Sequence, residues 1–371
     1  MDDPAELLAA LVAIDSVNPA LVPGGAGEPE IAAFVAGWAR AAGLDADVLE
    51  STPGRPSVLV RARGRGGGRT LLLCGHLDTV GYEGMRDPLT ARIEGDRLYG
   101  RGAYDMKAGV AAALHACRAA AALDLAGDVV VAAVADEEHA SLGVQEALRA
   151  VQADAAIVTE PTELAVAVAH KGFVWSEIEV TGRAAHGSRP HLGVDAIVRA
   201  GPILTALGAL DGTLGEHPLV GRGSVHAGVI AGGGELSSYP ARCVIGLEHR
   251  TLPGQSVAEV EAGLEALLER CRAEDPELVV ERRTLLVREP FSVPADAEIA
   301  HAVQDAAGGR AGAVGGVSFW ADSAFIAAAG IPTVLFGPSG AGAHAVEEWV
   351  SLDDTATVAR TLTGVAERLC A

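Results

Sequence analysis

The stretch Thr70-Leu71-Leu72-Leu73-Cys74-Gly75-His76-Leu77-Asp78 begins as an uncharged, mostly apolar run and ends with an imidazole and a carboxylate. Its apolar part is short and does not alternate with polar residues, which is typical of a strand buried on both faces of a sheet. Similar runs occupy residues 57–60, 129–134, 155–158 and 332–336, and an Ala-rich helix is predicted from about residue 106 to residue 122. This order favours an α/β fold in which helices cover a mostly parallel sheet.

The length and composition indicate more than one domain. At 371 residues the chain exceeds the size at which single hydrophobic cores usually stop growing. Hydrophobic residues make up 49% of the chain but aromatic residues only 4%, so aliphatic side chains must fill the interior. Such a composition suits strands that are covered by helices on both faces.

The charge and the cysteines exclude several classes of protein. A formal net charge of −21 repels phosphate backbones and anionic lipids, so we expect neither a nucleic-acid partner nor a membrane partner. The five cysteines are scattered, which supports neither a disulfide framework nor a thiolate zinc site. The acidic N-terminus lacks the positive charge of a secretory signal, and no apolar run approaches the ~20 residues that span a bilayer. The sequence therefore predicts a cytoplasmic protein.

A different order of elements occupies the middle of the chain. From residue 173 to residue 289 the pattern predicts strand, helix, two strands, helix and strand. This βαββαβ order is that of a ferredoxin-like α+β domain. Because the strand–helix alternation resumes after it, we predict a discontinuous catalytic domain of residues 1–172 and 290–371, interrupted by the inserted domain.

Several potential metal ligands lie next to the predicted strands and at the start of the Ala-rich helix. In an open α/β sheet such positions converge at the carboxyl edge of the strands, where ligands bind. Two imidazoles and three carboxylates suit zinc, cobalt or manganese better than copper(I) or an iron–sulfur cluster. The predicted ligands of two divalent metal ions, most simply zinc with cobalt or manganese as alternatives, are His76, Asp105, Glu138, Glu160 and His344.

Two further acidic residues have predicted roles at this site. If one carboxylate bridges the two ions, they lie ~3.5–4 Å apart and can share a water and polarise a carbonyl. Glu137, beside the ligand Glu138, is predicted to be the general base that passes the proton to the leaving amine. Asp78 is predicted to accept the second ring proton of His76 and so to fix its tautomer.

The motifs around these residues resemble those of a family of metallohydrolases that includes acetylornithine deacetylase, succinyl-diaminopimelate desuccinylase, aminoacylase and carboxypeptidase G. The similarity spans nearly the whole chain, and the motifs follow one another in the family's order. The stretches that carry it are Gly75-His76-Leu77-Asp78-Thr79-Val80, Gly100-Arg101-Gly102-Ala103-Tyr104-Asp105-Met106-Lys107, Asp136-Glu137-Glu138, Thr159-Glu160-Pro161-Thr162 and Gly342-Ala343-His344.

The resemblance implies a division of the ligands between the two metal ions. His76, Asp105 and Glu160 would hold one ion, and Asp105, Glu138 and His344 would hold the other, with Asp105 as the bridge. The inserted domain would be a lid that also mediates homodimer formation.

In that lid, the resemblance assigns two residues to the substrate. His186 resembles a histidine that stabilises the tetrahedral oxyanion and contacts the substrate, in its own subunit or in the partner subunit. Arg250 resembles an arginine that grips the substrate carboxylate. Two positions depart from the family's pattern. Ser237 stands where many members have Asn before the lid proline, and Glu347-Glu348 stands where an Asn or Asp often precedes the Glu.

The favoured function is therefore hydrolysis of the amide bond of an N-acyl amino acid, as in acetylornithine deacetylase. A metallo-carboxypeptidase or dipeptidase acting on short peptides is the alternative, because it uses the same chemistry. A catalytically inactive binding protein is disfavoured, since a binding site has no need of a base beside a metal pair. A nucleotide-dependent enzyme is disfavoured because the Gly-rich patch at residues 64–68 precedes a strand instead of following one.

Overall fold

The computed structural model describes residues 3–371 and divides them into two compact units. The first unit consists of the chain up to Val168, Val293–Gly316 and Ala321–Ala371. The second consists of Ala169–Ser292 and of Val317–Trp320, a short segment that the sequence placed with the first unit.

The helices and strands alternate along most of the chain. In chain order, the helices are α1 (Pro4–Val12), α2 (Pro29–Ala41), α3 (Ala108–Ala121), α4 (Leu142–Ala150), α5 (Ala196–Asp211), α6 (Val257–Glu274), α7 (Glu298–Ala307), α8 (Ser323–Ala328) and α9 (Leu352–Leu369). Within residues 3–371, none of the helices combines the length and the apolar character that crossing a bilayer requires.

The strands of the first unit form a large sheet and a small one. In chain order, all strands are β1 (Asp45–Leu49), β2 (Ser57–Ala62), β3 (Leu71–His76), β4 (Arg92–Glu94), β5 (Arg97–Tyr99), β6 (Val129–Val134), β7 (Ala155–Val158), β8 (Val166–His170), β9 (Gly172–Thr181), β10 (Glu216–His217), β11 (Gly221–Arg222), β12 (Ser224–Gly232), β13 (Arg242–Thr251), β14 (Val279–Arg288), β15 (Phe291–Ser292), β16 (Val314–Val317), β17 (Thr333–Leu335), β18 (Gly340–Ala341) and β19 (Trp349–Ser351).

The large sheet is mixed, which corrects the prediction of a mostly parallel sheet. Within the first unit its order is β1-β2-β6-β3-β7-β17-β8, and along this order only the pairs β6–β3, β3–β7 and β7–β17 are parallel. On one side β1 and β2 are antiparallel, and on the other β8 is antiparallel to β17. A fully buried strand such as β6 has the same apolar sequence whether its neighbour is parallel or antiparallel, so the sequence could not give the direction.

Helices cover this sheet because their buried faces consist of small or branched apolar residues. In α3 almost every side chain is buried, since the helix packs on β2, β3 and β6 and is itself covered by α1 and α9. Side-chain caps define where helices begin. Asp3 caps α1 and Ser351 caps α9, each by accepting a hydrogen bond from a backbone N–H in the first turn.

The second unit is a four-stranded antiparallel sheet with two helices packed on it. Its elements follow the order β9, α5, β12, β13, α6, β14, and the strands lie in the order β12-β13-β9-β14. This is the strand order of a ferredoxin-like fold. Burial alternates along β13, as expected for a sheet that is covered on one face only, and β12 lies at an edge.

A buried histidine in this unit gives a pH dependence of stability. His249 lies on the covered face of β13, is only 3% exposed, and neither ring nitrogen has a hydrogen-bond partner among the described residues. Burial lowers its pKa below the usual value of 6.5, and the charge of Asp211 opposes this only in part. As pH falls through about 6.5, the unfolded chain takes up a proton that folded His249 does not, so the folded state loses stability.

We therefore expect the His249→Leu variant to lose less stability between about pH 7.5 and pH 5.5 than the unmodified protein. The difference is limited to about 1.4 kcal/mol per pH unit, the value for one proton. Urea unfolding of the full chain at both pH values measures it. The matched control is His226→Gln, because His226 is an exposed histidine on neighbouring β12. Equal pH slopes for both variants would contradict the prediction.

Candidate metal centre

Parallel pairing brings three of the predicted ligands to one edge of the large sheet. His76 is the last residue of β3, which is parallel to both β6 and β7. Glu138 follows the end of β6, and Glu160 follows the end of β7. The carboxyl ends of parallel strands meet at the same edge, so these side chains converge although they are far apart in the sequence.

A turn before α3 and a loop of the small sheet supply the other two predicted ligands. Asp105 lies in the irregular helical turn Ala103–Lys107, which leads into α3. His344 lies between β18 and β19 and has a positive φ of 62°. Nearby Gly342 has a φ of 88°, and a Cβ there would lie 1.9 Å from the carbonyl oxygen of Glu347, so this tight loop requires glycine.

The five predicted ligands surround one small volume. His76 Nε2 lies 3.2 Å from Asp105 Oδ1 and 3.8 Å from Glu160 Oε1. His344 Nε2 lies 3.3 Å from Asp105 Oδ2 and 3.1 Å from Glu138 Oε2. Each oxygen of Asp105 therefore contacts a different imidazole, which is the arrangement expected of a carboxylate that bridges two ions.

Glu137 also lies within this volume. Its Oε2 is 3.9 Å from His76 Nε2. Ligand atoms of His76, Glu137 and Glu160 all lie within 4.8 Å of one another, and so do those of His76, Asp105 and Glu138. By distance alone Glu137 could be a metal ligand as well as a base. A comparison of the Glu137→Gln and Glu138→Gln variants distinguishes these two roles.

The electrostatics of this volume indicate missing positive charge. Burial raises the pKa of Glu137 and of Glu160 well above the usual value, and neighbouring carboxylates add to the effect although His76 opposes it. Burial and the charge of Asp105 raise the pKa of Glu138, whose Oε1 is buried without a hydrogen-bond partner among the described residues.

The two histidines respond to the same excess of negative charge. Hydrogen bonds with Asp105 and Glu138 raise the pKa of His344 to about 10, although burial opposes the shift. Burial also opposes a charge on His76, but its hydrogen bond with Asp105 and the charges of Glu160 and Glu137 outweigh burial and raise its pKa well above 6.5. Hard and borderline donors in a buried site with excess negative charge fit divalent cations.

Asp78 contacts this site in a different way from the one predicted. The backbone carbonyl oxygen of Asp78 lies 2.9 Å from His76 Nδ1, whereas the nearest carboxylate oxygen is 3.7 Å away. The carboxylate instead accepts hydrogen bonds from the backbone N–H groups of Glu137 and Glu138, at 3.1 and 3.2 Å. Asp78 therefore holds the imidazole with its backbone and the Glu137–Glu138 turn with its side chain.

A buried polar network contacts this turn, and no sequence motif indicates it. Asn18 Nδ2 donates hydrogen bonds to Asp78 Oδ2 at 2.8 Å and to Asp136 Oδ1 at 3.0 Å. The Arg55 guanidinium contacts Asp136 at 2.8 Å and donates two hydrogen bonds to Glu28, at 2.7 and 2.6 Å. Asn18, Glu28 and Asp136 are all fully buried. The network fixes the residue immediately before Glu137.

In the sequence, Glu348 stands out only because Glu347-Glu348 departs from the family's pattern. In the structure it is fully buried, and both of its oxygens accept hydrogen bonds from the segment that contains Asp105. Arg101, which lies inside one of the quoted motifs, pairs with it at 2.6 Å.

The predicted residues His186 and Arg250 belong to the second unit. His186 is exposed, and its Nδ1 lies 2.8 Å from the Ser188 hydroxyl oxygen and 3.2 Å from the Ser188 backbone nitrogen. Arg250 donates from Nε to Glu248 at 2.8 Å, and its guanidinium lies 5.0 Å from the centre of the Phe173 ring.

A cavity of about 460 Å³ in the first unit borders His344. Its walls include the apolar side chains of Val17, Val22 and Val346. Its charged groups are Asp15, Glu83 and Arg101, and Arg101 is paired with Glu348. Asp15 accepts a hydrogen bond from the Tyr82 hydroxyl at 3.0 Å. The cavity thus combines apolar walls with carboxylates next to a predicted metal ligand.

Comparison with known proteins identifies the family to which this fold and this site belong. The profile of Peptidase family M20/M25/M40 matches residues 72–368, and the chain belongs to that family. It is therefore a metal-dependent amide hydrolase. The resemblance that the motifs indicated is confirmed.

Similar proteins include a deacetylase and two peptidases. An acetylornithine deacetylase of Myxococcus xanthus is 33% identical over 317 residues, which cover 83% of this chain and 82% of the relative. An M20 family metallo-carboxypeptidase from Sulfolobus solfataricus has a similar structure, with a TM-score of 0.80 at 19% identity over 98% of each chain. A dinuclear metal binding peptidase of Bacillus subtilis superposes with a TM-score of 0.75 at 15% identity, covering 99% of this chain and 97% of that one.

Proposed function

We propose that the protein removes the acyl group from an N-acyl amino acid and releases the free amine. The observation that supports this most is Asp105, which contacts both imidazoles within a cluster of buried carboxylates. The similarity to acetylornithine deacetylases favours an acyl amino acid as the substrate. A metallo-carboxypeptidase or dipeptidase remains the alternative, because solved structures of both kinds share the fold.

The proposed cofactor is a pair of divalent metal ions, zinc or else cobalt or manganese. His76, Asp105 and Glu160 would hold one ion, and Asp105, Glu138 and His344 the other. Bound there, the ions would polarise the scissile carbonyl and acidify a water. Glu137 would take the proton from that water and deliver it to the departing amine.

The roles of His186 and Arg250 are part of the same proposal. A ring N–H of His186 is the kind of donor that stabilises a developing oxyanion. Arg250 is held at Nε by Glu248, so its terminal nitrogens present a planar fork that suits a substrate carboxylate. The second unit would thus serve as a lid that contributes to substrate binding.

The cavity beside His344 supports a substrate with a positively charged side chain. Asp15 and Glu83 supply negative charge, while Val17, Val22 and Val346 suit the methylene groups of an alkylamine. Acetylornithine carries such a side chain, so we rank N-acyl derivatives of basic amino acids above those of neutral ones.

Assembly and location are also proposals. Among the described residues, β12 is an edge strand of the sheet in the second unit, and it exposes Val229 and Ile230, at 66% and 52%. Such an edge is a template for pairing with a second copy of the chain, and we propose a homodimer through this unit. The five cysteines are free and buried, which fits the reducing cytoplasm.

A substrate panel tests the proposed function. We expect N-acetyl and N-succinyl derivatives of basic amino acids to be hydrolysed with a higher kcat/KM than dipeptides, when zinc, cobalt or manganese is supplied. A chelator should abolish turnover, and re-adding metal should restore it. Faster cleavage of dipeptides would favour the alternative, and activity that resists chelation in metal-free protein would refute both.

A further inference from the structure

The carboxylate of Glu348 is surrounded by donors from one short segment. Its Oε1 accepts hydrogen bonds from the backbone N–H groups of Tyr104 and Asp105, at 2.8 and 3.0 Å. Its Oε2 accepts from the backbone N–H of Gly102 at 3.0 Å and from Arg101 Nη1 at 2.6 Å. A buried carboxylate with four such donors defines the path of that segment closely.

Arg101 connects the same carboxylate to the loop that carries the second imidazole. Its Nη2 donates to the carbonyl oxygen of Ala345 at 2.8 Å. Ala345 is adjacent to His344, and Asp105 is one of the residues whose backbone Glu348 binds. The side chains of Arg101 and Glu348 are only 4% and 0% exposed, so solvent does not replace these bonds when one partner is removed.

We propose that the buried Arg101–Glu348 pair is a positioning device that sets Asp105 and His344 at the spacing that two metal ions require. The inference rests on the proposed di-metal site. Neither residue is a predicted metal ligand, and although Arg101 borders the cavity beside His344, its guanidinium is engaged with Glu348 and Ala345. They act through the backbone of Asp105 and through the loop that holds His344, the two residues that meet at 3.3 Å.

Glu348→Gln tests this directly. An amide keeps the shape of the side chain but presents an NH₂ group to backbone N–H donors or to Arg101, so at least one side of the contact is lost. We expect the affinity of the apo protein for Zn²⁺, measured by titration calorimetry, to fall by roughly 10- to 100-fold, as for other residues that orient metal ligands. We also expect kcat to fall more than KM rises, and excess metal to restore part of kcat.

The matched control is Asp128→Asn. Asp128 is another carboxylate that accepts hydrogen bonds from a guanidinium and from the backbone, from Arg61 and Gly64 at 2.9 Å each. It lies at the amino end of β6, whereas the predicted metal ligands follow the carboxyl ends of the strands. This variant should bind Zn²⁺ as the unmodified protein does. Unchanged Zn²⁺ affinity in a folded Glu348→Gln variant would overturn the proposal, and so would an equal loss in the control.

If Glu348→Gln does not fold, a second variant, Arg101→Lys, tests the same proposal. Arg101→Lys keeps a cation beside Glu348 but cannot contact Glu348 and Ala345 with a planar fork. It should weaken Zn²⁺ binding, and unchanged affinity would overturn the proposal. If the unmodified protein binds two metal ions but cleaves no substrate in the panel, the proposed function is refuted. The Zn²⁺ affinities of the variants still test whether the Arg101–Glu348 pair positions the metal ligands.

Discussion

Replacing Glu137 by Gln is expected to lower kcat by roughly 10²- to 10⁴-fold while both metal ions remain bound. The amide has the shape of the carboxylate but cannot accept a proton. The turn itself should survive, because it is held by backbone hydrogen bonds from Glu137 and Glu138 to Asp78. Steady-state kinetics and elemental analysis of the purified variant measure the two quantities.

The adjacent residue provides the control. Glu138→Gln removes an oxygen that lies 3.1 Å from His344 Nε2, so this variant should lose metal affinity. The geometry makes the comparison necessary, because Glu137 lies as close to His76 and Glu160 as a ligand would. If Glu137→Gln loses metal to the same extent as Glu138→Gln, Glu137 is a ligand, and a different residue must serve as base.

Replacing Arg55 by Met is expected to destabilise the folded state by about 3–5 kcal/mol, the usual result of removing one partner from a buried ion pair. Arg55 is the cation that faces both Glu28 and Asp136, and those two carboxylates are fully buried. Burial already raises the pKa of Glu28, and the hydrogen bond from Arg55 opposes that rise.

The pH dependence of this effect has a definite sign. Without Arg55 the pKa of Glu28 rises further, so folded Glu28 holds its proton at pH values where the unfolded chain has lost it. The folded variant then loses stability as pH rises, and its deficit against the unmodified protein should be smaller near pH 5.5 than near pH 8. Urea unfolding at both pH values measures this. Arg63→Met is the control, since Arg63 forms an exposed pair with Asp45 and should have little effect. A small, pH-independent loss in Arg55→Met would contradict the prediction.

The parts of the fold that the sequence predicts well are those where a side-chain pattern has one structural meaning. The runs at residues 129–134 and 155–158 coincide with β6 and β7, because short unalternating apolar runs between polar residues suit strands buried on both faces. The direction of pairing between β2 and β6 is not encoded in such a run, so the mixed sheet could not be predicted.

The candidate site likewise has features that the sequence predicts and features that it does not. His76, Glu138 and Glu160 follow predicted strands, so their convergence could be inferred from the general behaviour of α/β sheets. The contact between Arg101 and Glu348 joins residues 247 positions apart, and the motifs around these two residues do not indicate that their side chains pair. The sequence predicts that the Asp78 side chain contacts the His76 ring, whereas the backbone carbonyl oxygen of Asp78 makes that contact. Sequence patterns do not show which of these two groups of one residue will do so.

The predicted metal ligands come from distant parts of the chain. His344 is synthesised long after His76, because most of the chain lies between them. Between Glu160 and His344 the chain must also complete β17, which joins the sheet beside β7. A chain truncated before His344 therefore lacks one of the predicted ligands, so the full predicted centre can be assembled only after His344 has been synthesised.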